Sequence, residues 1–503
     1  MSEPDGVEGR ATTLGASARA SVLWGGGFTL IRDLLQFVTM LVLVRLLSPG
    51  DYGSATLAQT ILGLLAVFSL VTFSLHALQA RDPAEIDWQV HFTAAVVINS
   101  VLVLVTLTLA GLLSLTSRYE AAALPLAALS LVFVVEIPAA LRIRMLQVAH
   151  DWRRFRIVLI TGGLLSNSTG IVIAFLGGGV WALVVQPVLA GLPAALDLIL
   201  VAKWRPHLTW SWARYRATAR FGAMRVASGL LLNGRQTVEQ SMLAGTYDFA
   251  VLGVFTRALG LAMLVAGRLG GLAMGSLYPV ITRAERGSAQ FRRYAALVMR
   301  GVAWATLPAA ALLALTAADI TTLLYGPKWS GVVPLLPLAA IAVGFSGIAT
   351  AAGTLLLAND QIRECLALDV VSAVLGVVLA LWLVPAGMEI YLAALAANGM
   401  VVLGLALGLL VRTGGIDRSG LVAAFLPAMV AAAAAVGAIF AVRGTVGSIG
   451  IMPVRLVVES ALFCAVYLAV LRLAFERPLR ELIEVAPGRN RLSAMLAFAP
   501  RMI

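Results

Sequence analysis

The sequence predicts an all-α integral membrane protein of about fourteen transmembrane helices, and three observations carry that prediction. Of 503 residues, 60% are hydrophobic before Gly is counted and only 12% are charged, against a roughly 45–50% apolar share in soluble domains. The mean hydropathy is +0.94. The apolar residues fall in runs long enough to cross ~30 Å of hydrocarbon, which takes about 20 residues each. The cationic residues gather in alternate connections between those runs, which is how membrane orientation is encoded.

The same composition excludes other classes. A disordered chain lacks apolar residues, and a disulfide-stapled secreted module needs more than the two cysteines here, Cys365 and Cys464, which both lie in apolar stretches and are expected to be small buried thiols. The net charge of +12 does not indicate nucleic acid. The 37 cations are Lys203, Lys328 and otherwise Arg, and most sit in short segments between apolar runs.

Taken in order, the expected spans are 21–47, 54–78, 90–114, 121–141, 157–177, 179–201, 221–244, 250–281, 299–324, 331–357, 365–385, 388–411, 420–442 and 454–475. The runs 157–201 and 365–411 are divided at Gly177-Gly178-Gly179 and at Pro385-Ala386-Gly387, because Gly/Pro clusters mark turns. Residues 1–20 lack the pattern of a cleavable signal, so the first span is expected to stay in the mature protein. With the N-terminus inside, 27 cations fall in inner segments and 4 (Arg45, Arg118, Lys328 and Arg443) in outer ones. That asymmetry predicts both termini in the cytoplasm. The inner segments 142–156, 202–220 and 282–300 mix Arg with aromatics and read as amphipathic surface helices.

A faint repeat pairs Asp51-Tyr52-Gly53 after the first span with Asp248-Phe249-Ala250 after the seventh, at an offset of 197. It predicts two pseudo-symmetric six-helix lobes around a central cavity plus two C-terminal helices. The expected divisions are a cytoplasmic segment 1–20, an N-lobe 21–201 and an amphipathic linker 202–220. A C-lobe 221–411, two helices over 420–475 and a cytoplasmic tail 476–503 follow.

Ionisable residues inside spans are costly and therefore functional candidates. Arg32 and Asp33 lie in the first span, Arg225, Arg235 and Glu239 in the seventh, and Arg257 and Arg268 in the eighth. Arg32, Gln36 and Thr39 form a polar stripe at helical spacing. Arg257 and Arg268, eleven residues apart, are about 20° out of phase and expected on one face. The excess is positive, which suits an anionic, phosphate-bearing substrate, since guanidinium groups bind phosphate bidentately. Competing structural readings are pairing of Arg235 with Glu239 at i, i+4, pairing of Arg32 with Asp33, and snorkelling of Arg225 and Arg257. Glu239, Asp369 and Asn398 are candidate oxygen ligands for a coupling cation, with a satisfied interhelical contact as the alternative. Asp319 is expected to be solvated at the outer interface. No Walker A, dinucleotide-binding or HExxH motif occurs, no metal site is expected, and the four His leave no raw material for an outer His-based site.

Several segments resemble the signatures of one family in the right order. Val44-Arg45-Leu46-Leu47-Ser48-Pro49-Gly50-Asp51-Tyr52-Gly53 resembles the signature after the first helix of polysaccharide exporters. Leu252-Gly253-Val254-Phe255-Thr256-Arg257-Ala258 and Leu323-Leu324-Tyr325-Gly326-Pro327-Lys328-Trp329 resemble two later ones, and Pro138–Arg142 and Gly179–Val184 echo two more. The family is the Wzx-like lipopolysaccharide/exopolysaccharide flippases of the multidrug/oligosaccharidyl-lipid/polysaccharide exporter superfamily. The resemblance implies a non-enzymatic, cofactor-free transporter that moves undecaprenyl-pyrophosphate-linked oligosaccharide across the membrane by alternating access. It implies coupling to Na+ or H+, a cationic cavity onto which Arg32, Arg257 and Arg268 map, and a role for Arg45 at the outer opening. Partners implied are the lipid-linked oligosaccharide, membrane lipids, and glycan polymerase and chain-length machinery. A small-molecule exporter of the same superfamily would want an acidic cavity, and a membrane glycan polymerase or ligase would want a large outer loop. The longest outer connection, 443–453, is too short for one.

Overall fold

The computed structural model describes residues 32–69, 86–271, 284–446 and 450–485, with the single positions 274 and 281. Among the described residues every regular element is helical. Eleven helices are long and apolar enough to cross a membrane, so the chain is a multi-pass membrane protein. The expected first and second spans lie partly outside the described residues, and the segments 1–20 and 486–503 lie wholly outside them. The expected seventh span is not among the eleven.

Two units divide the chain at Asn233 and Gly234. Unit 1 holds α1 (32–46), α2 (Pro49–Ala66), α3 (Trp88–Ser114), α4 (Glu120–Leu129), α5 (Leu131–Val148), α6 (Trp152–Phe175) and α7 (Trp181–Leu196). α4 and α5 form one candidate span, Glu120–Val148. A π turn over Asp197–Val201 prolongs α7. The core of unit 1 packs Leu126, Leu129 and Phe133 against Ala58, Leu62, Leu102 and Val184. Small residues let α6 and α7 approach closely: a Cβ on Gly162 would stand 2.3 Å from the Ala190 carbonyl oxygen.

The 35-residue α8 (Trp212–Thr246) begins in unit 1 and ends in unit 2. Half of the expected linker 202–220 is therefore helical and continuous with the expected seventh span. Only 202–211 is irregular, and it is tied to the start of α3 through Gln89 and Thr93, which bond the backbone of Arg205, His207 and Thr209.

Unit 2 continues with α9 (Phe249–Ala262), α10 (Ala289–Leu315), α11 (Ala317–Leu324), α12 (Val332–Ala358), α13 (Ile362–Leu383), α14 (Met388–Arg412), α15 (Arg418–Val446), α16 (Met452–Ala474) and α17 (Glu476–Val485). α10 starts ten residues before the expected 299, because Ser288 caps it by accepting from the Phe291 N–H at 3.0 Å. The helix tolerates Arg292 and Arg300 because both are neutralised. Arg292 meets Asp417 at 3.4 Å, and Arg300 meets Glu481 at 2.8 Å. Arg300, expected in an inner loop, is buried within the helix. The segment 476–485, expected as plain tail, is a helix whose Leu479 and Ile483 join the core with Trp304, Phe463 and Tyr467.

The repeat is visible in how two helices start, with a difference in register. Ser48 and Asp51 make a capping box at the start of α2, with Pro49 at the first helical position. Asp248 is itself the cap of α9, accepting from the Val251 N–H at 2.7 Å. The helices begin at Pro49 and Phe249, so the offset between starts is 200 rather than 197.

Candidate functional site

In unit 1, Arg32, Gln36 and Arg45 lie on α1, all exposed. Thr39, the other member of the expected stripe, is buried and donates to the Leu35 carbonyl at 2.8 Å. Arg32 Nη2 lies 3.2 Å from Asp33 Oδ1; the long Arg side chain spans the ~100° between adjacent helical positions.

Two acids of unit 1 were missed by the sequence reading, although both sit in stretches assigned to spans. Asp197, at the start of the π turn, is buried and shared by two arginines. Arg142 Nε on α5 approaches at 2.6 Å and Arg154 Nη2 on α6 at 2.7 Å, so three helix ends are joined by one carboxylate. Glu136 on α5 receives a hydrogen bond from the buried Ser69 hydroxyl at 3.4 Å. Screening every acid within a span for its cost in hydrocarbon would have found both.

Outside the spans, Asp87 caps α3 through the N–H groups of Gln89 and Val90 and pairs with Arg214. Burial works to raise the Asp87 carboxyl, but Arg214 and the two amides outweigh it and hold the group below its ordinary value.

In unit 2, Arg235 and Glu239 on α8 pair loosely at 3.8 Å. Glu239 is buried, and its Oε1 has no hydrogen-bond partner. The buried Tyr391 phenol on α14 interacts with this carboxylate without reaching hydrogen-bond geometry. Arg235 lies across α13 at Gly376, where a Cβ would stand 2.6 Å from its Cδ. Asp369, exposed on α13, is seven residues before Gly376 and shares its face. Asn398 is buried on α14, seven residues after Tyr391, and its Oδ1 has no hydrogen-bond partner. No ion pair or hydrogen bond joins Asp369 or Asn398 to Glu239, and among the described residues no group of three or more His, Cys, Asp or Glu is placed to hold a metal ion.

The shared face expected for Arg257 and Arg268 is broken. A π turn over Met263–Gly267 separates them, with the Arg268 N–H bonded to the Met263 carbonyl. One extra residue in the turn rotates everything after it by about 100°, so the two arginines stand about 80° apart instead of about 20°. Arg257 is half-buried and Arg268 exposed. Burial pushes the Tyr325 phenol up to about 12, with the nearby Arg257 guanidinium working against that rise. Tyr325 packs edge-on against Trp329 at 5.9 Å. Asp319, expected in solvent, is mostly buried and paired with Arg455, whose Nε lies 2.8 Å from Oδ2. The side chain of Arg225 lies outside the described set.

Comparison with known proteins places this architecture. A sequence profile described as "Polysaccharide biosynthesis protein" matches residues 42–334. The chain is 22% identical over 346 residues to the lipopolysaccharide biosynthesis protein WzxC of Escherichia coli (strain K12), covering 67% of this chain and 69% of that one. It is 25% identical over 317 residues to the succinoglycan biosynthesis transport protein ExoT of Rhizobium meliloti (strain 1021), covering 62% and 63%. Among solved structures, the lipid II flippase MurJ in its inward closed conformation superposes with a TM-score of 0.72 at 12% identity, covering 90% of this chain and 99% of that one. A multidrug resistance MATE family transporter of the MOP superfamily, facing inward, gives 0.54 at 14%, covering 76% and 95%. At these identities the structural likeness establishes the transporter fold.

Proposed function

The chain belongs to the polysaccharide biosynthesis protein family, and from that premise we propose that it flips undecaprenyl-pyrophosphate-linked oligosaccharide from the inner to the outer leaflet of the bacterial cytoplasmic membrane. Alternating access would expose the bound headgroup to each side in turn, both termini staying in the cytoplasm, and the product would feed lipopolysaccharide or exopolysaccharide assembly by polymerase and chain-length machinery. The observation that carries this reading is the pair of arginines within the span Phe249–Gly271. Guanidinium groups in a bilayer-spanning helix are expensive, and pyrophosphate is the ligand whose charge and geometry match them.

In this proposal Arg257 and Arg268 anchor phosphate in unit 2, with the π turn fanning them apart so that each meets a different oxygen set. Arg32, Gln36 and Arg45 are proposed as the phosphate- and glycan-facing groups of unit 1. Arg235 holds Glu239, and Glu239, Asp369 and Asn398 are proposed to bind the coupling Na+ or H+. The buried Oε1 of Glu239 and Oδ1 of Asn398, both without hydrogen-bond partners, support that assignment.

The test is the leaflet distribution of lipid-linked oligosaccharide in a deletion strain of the native host. Accumulation on the inner leaflet is expected, relieved by wild type and not by Arg268→Ala inserted at equal level. Full relief by Arg268→Ala would remove Arg268 from the mechanism, and a normal distribution in the deletion strain, with redundancy excluded, would overturn the flippase reading.

A further inference from the structure

Glu136 is set among groups that suit a ligand better than a structural role. It lies twelve residues from the nearer end of the span Glu120–Val148, about 18 Å along the helix. Its hydrogen-bond donor is a hydroxyl, that of Ser69, and no cation pairs with it among the described residues. Pro138, two residues on, lacks an N–H and leaves the Val134 carbonyl without its helical donor.

A second observation comes from α3. Asn99 is wholly buried, and both its Nδ2 and Oδ1 lack hydrogen-bond partners. A buried amide with neither end satisfied costs several kcal/mol in an apolar setting and calls for an occupant or a function. Its level follows from packing. Ala95 on α3 clusters with Ala140 and Leu141 on α5, and Leu102 clusters with Leu129 and Phe133. That antiparallel register sets Asn99, one turn beyond Ala95, level with Glu136, one turn before Ala140.

The geometry points to a monovalent-cation site in unit 1, with the Glu136 carboxyl as its single anion and Ser69 Oγ and the Asn99 amide as neutral ligands. One carboxylate balances one positive charge, which selects a proton or Na+ over a divalent ion. Among the described residues no charge is paired with Glu136. α3 carries His91 as its sole titratable group, held by the Asp87 carbonyl and Thr218. On α2 and α4 the groups are Asp51 and Glu120, both in first turns. On α5, α6 and α7 the charges are Arg142 and Arg154, both turned to the Asp197 carboxylate rather than to Glu136. Arg144 is turned to Gln147, and Arg153 and Arg156 lie in the first turns of α6. Residues 70–85 lie outside the described set. The site is separate from the one proposed at Glu239 and does not rest on the flippase reading.

The test labels the purified full-length protein, in liposomes, with dicyclohexylcarbodiimide. The reagent adds a protonated carboxyl across its C=N bond and rearranges to an N-acylurea, with no leaving group. Peptide mass spectrometry reads Glu136 in a pH series without Na+ and in a Na+ series at fixed pH. Loss of labelling only as pH rises well above the ordinary carboxyl value of about 4.3 identifies the proton as ligand, and loss on adding Na+ at fixed pH identifies Na+; either supports the site. Loss already at the ordinary value with no Na+ effect overturns it. Glu136 unlabelled throughout, or labelled equally in every condition, overturns it. Asn99→Leu, which keeps the branch at Cγ and removes both polar ends, should shift the half-point of labelling, and an unmoved half-point removes Asn99 from the site. Because labelling is read without transport, failure here and failure of the flippase reading are distinguishable.

Discussion

Asp197 and Glu136 are acids of the same unit, both carried on span helices, and the fold treats them in opposite ways. Asp197 is closed in by Arg142 and Arg154 at 2.6 and 2.7 Å. Glu136 has a serine hydroxyl at 3.4 Å. Unit 2 repeats the contrast, with Asp319 gripped by Arg455 and Glu239 holding Arg235 at only 3.8 Å. An acid in a membrane helix is thus informative only once its neutralisation is known. The closed pairs staple helices, and the open carboxyls are the ones proposed to exchange a ligand.

The largest effect should come from breaking a closed pair. Asp197→Ala leaves two arginines facing each other at the junction of α5, α6 and α7, and should cost about 3–5 kcal/mol. Thermal unfolding in detergent measures it, and a midpoint near wild type would show that the cluster does not hold the helices. Next is Arg300→Ala, which frees Glu481 into water rather than burying it, so the cost should be about 2 kcal/mol. Trypsin should then cut α17 faster at Arg477 and Arg480. Glu136→Gln should change stability by less than about 1 kcal/mol, since no partner is stranded; a loss as large as that of Asp197→Ala would erase the contrast between the two acids. The smallest effect is at Asp87, whose folded-state value is lowered. Its charge therefore stabilises the fold above about pH 4 and that contribution is lost as pH falls through the folded value. Asp87→Asn keeps the cap acceptor and should flatten only this acidic limb of the unfolding profile.

The fold class was legible because lipid imposes one rule on every span, and among the described residues eleven of the fourteen expected runs appear as helices long and apolar enough to cross a membrane. Boundaries failed where local chemistry outweighed hydropathy. Ser288 starts α10 ahead of its apolar run, and neutralised Arg292 and Arg300 let polar sequence continue into it. The angular relation of Arg257 to Arg268 was not legible, since nothing in Met263–Gly267 announces a π turn. Pairing across helices was equally hidden: Arg455 and Asp319 are 136 residues apart. The family signatures, by contrast, largely report backbone needs. Ser48, Pro49 and Asp51 build a cap, Gly326 adopts φ of +90°, and Trp329 is wholly buried.

The Arg300–Glu481 pair also has an order in time. Ribosomes add about 5–20 residues per second, and 181 residues separate the two partners. For roughly 10–40 s after Arg300 leaves the ribosome, α10 therefore exists without the carboxylate that neutralises it. During that interval the guanidinium must be held by water, lipid phosphate or the insertion machinery. α17 can dock onto α10 only after Glu481 has been added, so a nascent chain halted before residue 476 lacks this carboxylate.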